Sequence, residues 1–110
     1  SWICFNFDSM EVKLSYYSIK TSDGSAKSDN NLQSWCIEGS DSGDPNGGWD
    51  VLDSKSNDKS LDGRGFSNSY KIASSRFYQY IRLRQTNVNT GRTNNLKIGL
   101  IEFFGEIQTQ

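Results

Sequence analysis

Thirteen carboxylates, two thiols and no histidine are the ionisable raw material for any chemistry in this 110-residue chain. Without histidine there is no Ser-His-Asp or Cys-His relay, and the commonest zinc ligand is missing. Two separated cysteines, Cys4 and Cys36, cannot build a tetrahedral thiolate site. Carboxylate pairs remain, Asp50 with Asp53 or Asp58 with Asp62. Hydrolysis by such a pair needs a defined separation across a cleft. Loop spacing supplies none, so these read as solvated loop carboxylates. Gly39, Gly43, Gly47 and Gly48 lack the lysine-serine ending and following helix of a phosphate loop. The run Asp41-Ser42-Gly43-Asp44-Pro45-Asn46-Gly47 offers oxygen ligands to calcium but lacks the alternating carboxylates and closing glutamate of an EF-hand loop. The expectation is a chain without catalysis and without a required cofactor.

The elements that carry these residues read as strands. From Tyr80 to Arg84, Ile81 and Leu83 alternate with Tyr80, Arg82 and Arg84, the period of a strand with one face buried and one exposed. The segment from Leu96 to Ile107 is apolar on both sides, which predicts a strand buried in mid-sheet, and its lone carboxylate, Glu102, would then need a partner. Strands are predicted at about 2–8, 11–20, 32–40, 49–54, 66–72, 78–86 and 96–107. No helical stripe interrupts them, so the class is all-β, with one domain and one core. The buried phase flips at Tyr16-Tyr17, which predicts a β-bulge. Trp35, Trp49, Phe5, Phe7, Phe103 and Phe104 are assigned to the core. Trp2, Tyr78 and Tyr80 are expected nearer the surface, able to stack on a sugar or a partner's side chain.

A net charge of −1 with scattered basic residues leaves no nucleic-acid footprint, and no apolar run is long enough to span a membrane. Both cysteines sit among apolar neighbours and are expected to be reduced and buried; a disulfide would need adjacent strands and aligned side chains. No asparagine begins an Asn-x-Ser/Thr acceptor. The missing acceptor, with the lack of a cysteine at either terminus, points to the cytoplasm.

Four landmarks, in order, resemble a known family. Trp2-Ile3-Cys4-Phe5-Asn6-Phe7-Asp8 is similar to the WIxFDF strand of discoidin domains, also called coagulation factor V/VIII type C domains. Ser34-Trp35-Cys36-Ile37-Glu38-Gly39-Ser40, followed by Gly48-Trp49, resembles their W-x-I-E-G-S and tryptophan pair, and the stretch from Tyr80 to Gly105 resembles their closing hairpin. The likeness is nearest to the intracellular branch found beside BTB domains in protists and other eukaryotes. It implies a jelly-roll β-sandwich of the galactose-binding-like type, without catalysis. Relatives begin with a further strand and loop, so the resemblance also implies that residues 1–110 are an excerpt lacking the first strand. Extracellular members tie their termini by a disulfide, and neither terminus here carries a cysteine. Many galactose-binding-like modules hold a structural calcium against a glutamate of the last strand. That role would fall to Glu102, with other ligands coming from the loop before the first landmark.

If consecutive strands run antiparallel, the loops at about 21–31, 55–65 and 87–95 share one end of the sandwich, where long polar loops commonly bind. The candidate contacts are Asp29, Asn30, Arg84, Asn89, Arg92 and Asn94. Arg84 is expected at the loop mouth, and Arg92, beside Gly91, at a loop tip. Three ligand classes follow. Membrane insertion ranks last, because the loops offer only Ala26, Leu61 and Val88 as apolar residues. A carbohydrate would find asparagine and arginine donors but no aromatic platform there. A protein partner, met by an intracellular docking domain, ranks first.

Overall fold

The computed structural model describes residues 1–22, 30–63, 65–73 and 76–110. Among them run seven strands: β1 (Trp2–Asn6), β2 (Met10–Lys20), β3 (Trp35–Ser40), β4 (Asp50–Lys55), β5 (Ser67–Lys71), β6 (Tyr80–Gln85) and β7 (Leu100–Thr109). They form two antiparallel sheets, in the orders β1-β6-β3-β4 and β5-β2-β7, stacked as a β-sandwich. The all-β class and the strand count agree with the sequence periodicity. β3 is buried along its whole length because β6 and β4 flank it and both of its faces are covered.

Period two sorts the inner rows. Ile37, Ile81 and Leu83 of one sheet meet Val12, Leu14, Tyr17 and Ile19 of the other, all at most 4% exposed. Each such burial stabilises by roughly 1.5–3 kcal/mol. Trp35 lies among them with no exposed surface, edge-on to Tyr70, which stacks on Tyr17. Its indole N–H donates to the Tyr17 hydroxyl at 2.8 Å, and that hydroxyl donates to Asp53 at 2.6 Å. Burial, reinforced by the Asp53 acceptor, pushes the Tyr17 phenol well above its ordinary value, so it remains a donor.

The bulge lies between Leu14 and Tyr16, slightly earlier than the sequence phase suggests. Val12 and Leu14 therefore face inward before it, Tyr17 and Ile19 after it, and Tyr16 turns outward onto Phe104, with ring centroids 4.5 Å apart. Gly105 is required opposite the bulge: a Cβ there would run into the Lys13 carbonyl and come within 2.9 Å of the Leu14 Cα.

Several expectations need correction. β7 begins at Leu100, not Leu96, and among the described strands it is an edge strand rather than a mid-sheet one, pairing with β2 alone. Its outward apolar residues are accommodated without a second layer, since Phe104 stacks on Tyr16 and Leu100 stays 50% exposed. Glu102, opposite Ser18, is consequently exposed. Tyr78 is buried rather than exposed, because its ring covers Gly39 and its hydroxyl donates to Asp50. Phe7 and Phe103 are half-buried and pack against the core, whereas Phe5, Phe104 and Trp49 are half-buried outside it. Cys36 is buried and Cys4 half-buried; both are free, and β6 separates their strands.

Two substitutions test this arrangement. Glu102→Ala should change stability by less than about 0.5 kcal/mol, as at an ordinary surface position. Gly105→Ala should cost about 2 kcal/mol through backbone overcrowding at the bulge. Urea unfolding of both variants measures the contrast, and a large loss at Glu102 would contradict the edge placement of β7.

Candidate functional site

The described parts of the three long loops, residues 21–22 and 30–31, 55–63 and 65, and 87–95, meet at one end of the sandwich, and buried asparagines knit them together. Asn31, 1% exposed, exchanges backbone hydrogen bonds with Thr90: its N–H donates to the Thr90 hydroxyl and its carbonyl accepts from the Thr90 N–H, both at 2.9 Å. Its amide donates to Asp62 at 3.1 Å. One residue, through its backbone and its side chain, thus ties the end of the first loop to the other two. Thr21 adds a second tie, donating from its hydroxyl to the Gly63 carbonyl at 2.7 Å and accepting from the Phe66 N–H at 2.8 Å. Gln33 donates to the Val88 carbonyl at 3.0 Å.

Asn89 organises the 87–95 loop from within. Its amide nitrogen donates to the Thr93 hydroxyl and the Asn95 carbonyl, and its oxygen accepts from the Gly91 and Thr93 N–H groups at 2.9 Å each. Those bonds use its full hydrogen-bonding capacity, so Asn89, 1% exposed, is a brace and not a contact residue. The brace holds Arg92 at φ 63°, a left-handed conformation unusual for arginine, with its side chain exposed at the loop tip. Asn94 is exposed as well, and its carbonyl accepts from the Ser1 hydroxyl at 2.8 Å. Asn30, half-buried at φ 57°, accepts from the Thr93 hydroxyl and packs against Gly91. Asp29 lies outside the described residues.

Phe66, just past the 55–65 loop, escaped the sequence reading. It is 50% exposed and leans on Gly63, where a Cβ would meet its ring, so this end does present an aromatic surface. The signal was a lone aromatic beside Gly65, readable as a core position of the next strand. Beside it, Lys20, Thr21, Ser22, Gly99 and Leu100 line an open groove of about 410 Å³.

Arg84 is elsewhere. On the outer face of the four-stranded sheet, opposite Trp2 and Cys36, it forks onto Glu38 at 2.9 and 3.3 Å. Arg82 binds the same carboxylate at 2.9 and 3.0 Å, and its guanidinium stacks 4.1 Å from the Trp49 ring. Arg82 was expected to be exposed, but this aromatic cover leaves it only 7% exposed. Burial alone would push the Glu38 carboxyl up; the hydrogen bonds and charges of Arg84 and Arg82 outweigh it and hold the group below the ordinary carboxylate value. Glu38 is thus the charged keystone of the outer face, quoted in the sequence pattern but given no role there.

The carboxylate pairs are occupied structurally. Asp50 accepts from Tyr78 and Arg76, Asp53 from Tyr17, and Asp62 from Asn31. Among the described residues, no group of three or more Cys, Asp or Glu could hold a metal ion. Glu102 stands exposed on the edge strand with Ser18 opposite. No protein-family model and no curated protein matches the chain.

Removing the keystone carboxylate strands two cations, one of them buried. Glu38→Ala should cost about 3–5 kcal/mol, the scale for breaking a buried ion pair. Because the folded carboxyl is held below its unfolded value, its contribution is complete above about pH 4.3 and lost as pH falls through the folded value. Urea midpoints followed against pH should show this acid loss in the native protein and not in Glu38→Gln.

Proposed function

We propose that the chain is a non-catalytic binding module of the discoidin type, with a jelly-roll topology, that docks a protein partner in the cytoplasm through its loop end. The observation that carries this reading is the braced platform itself. Asn31, Thr21 and Asn89 brace the described parts of this end by buried hydrogen bonds, so Arg92, Asn94 and Phe66 are presented with little ordering left to complete on binding. Arginine and aromatic side chains are the residue types most often found as protein-binding hot spots. The four sequence landmarks support the family.

The test is partner capture from a lysate of the source cells. Phe66→Ala and Arg92→Ala should each weaken capture by on the order of 2 kcal/mol, the hot-spot scale, with thermal unfolding little changed. Unchanged capture in the double variant, with loss on altering the opposite loop at Asp41 and Asp44, would move the binding surface to the other end of the sandwich.

A further inference from the structure

A second surface, independent of the loop end, lies along β7. Among the described strands its ten residues pair with β2 alone, and antiparallel geometry turns every second N–H and C=O toward the other side. Edge strands are normally guarded by shortness, lysine, proline or inward charges. β5 is short and ends in Lys71, and β4 carries Asp50, Asp53 and Lys55. β7 has none of these guards: it is long, without lysine, arginine or proline, and its inward row is Ile101, Phe103, Gly105 and Ile107. Ile107 faces the same side as buried Val12 yet remains 64% exposed. Phe103 meets Phe5 of β1 edge-on at 5.1 Å, so the open flank continues onto the other sheet, where Ile3 is 36% exposed.

The outward row of β7 defines the charge of what would pair there. Glu102 and Glu106 both project from it, the former without an ionic partner among the described residues and the latter bridged to Lys13 at 2.9 Å but largely exposed. We infer that the β7 edge accepts an extended strand from a partner protein, antiparallel to it, with apolar residues opposite Phe103, Gly105 and Ile107 and basic residues opposite Glu102 and Glu106. Added as a fourth strand, it would take up the free backbone groups of β7, cover Ile107 and place two cations against two carboxylates. A second copy of this chain fits less well, because the antiparallel self-pairings of β7 that keep its apolar rows together set Glu102 or Glu106 directly opposite or diagonal to a glutamate of the other copy.

The probe is the acetylated, amidated heptapeptide IKLTVKI, titrated into the isotope-labelled protein and followed by amide chemical shifts. Saturable changes should be confined to β7 and the facing residues of β1. N-methylation of alternate peptide nitrogens should abolish binding in one phase and spare it in the other. The peptide IELTVEI should bind about tenfold more weakly, and the exposed-site variant Glu102→Lys with Glu106→Lys should invert that preference. Equal binding of both peptides, shifts centred away from β7, or no shift at all would overturn the inference. So would a concentration-dependent dimer in light scattering that protects β7 amides, since it would assign the edge to a second copy.

Discussion

A tryptophan indole buried in an apolar core must find an acceptor inside it, and that requirement governs how the two sheets meet. Trp35 lies on β3 of one sheet, its acceptor Tyr17 on β2 of the other, and Asp53 returns the chain of hydrogen bonds to β4. Because a buried polar group left unpaired costs on the order of 1–3 kcal/mol, small slips of one sheet over the other are penalised here before apolar contact is lost. Tyr70 then closes the cluster as a third ring, with Lys55 over its far side at 5.4 Å. The sandwich angle, the packing of the inner rows and the relative height of the loops all inherit this one alignment.

At the loop end the same economy appears in polar form. Asparagines that could have faced a ligand are spent internally, so what remains outside is sparse and fixed. On the outer face of the four-stranded sheet, burial of Glu38 is made tolerable by two arginines, and burial of Arg82 by Trp49. Polar side chains thus act mainly as structural members of this protein, a pattern that fits a small sandwich with limited apolar volume.

How much of this was legible in the sequence follows from what period two can and cannot encode. Ile81 and Leu83 announced their inward face correctly, and the polar loops announced their shared end, because both facts depend only on local alternation and antiparallel order. The edge position of β7 was not legible. Alternation reports the faces of a strand and not its neighbours, and Phe104 finds cover on Tyr16 without any further layer. Arg82 misled for a related reason: its cover, Trp49, comes from a loop distant in sequence. Asn89 read as a contact because its type suits one, while its four hydrogen bonds are visible only in the folded loop.

The strand order also constrains how the chain can acquire its shape during synthesis. Of the consecutive strand pairs, only β3 and β4 are hydrogen-bonded neighbours; β1 waits for β6, and β2 for β5 and β7. Loop-closure entropy must therefore be met before most backbone pairing is rewarded, which makes for slow folding. A nascent chain that has emerged only through β5 holds β1 without its partner and carries the unpaired apolar segment from Trp2 to Phe7. Such an intermediate keeps that apolar segment unpaired until β6 follows it, and unpaired strands of this kind are the ones prone to aggregate.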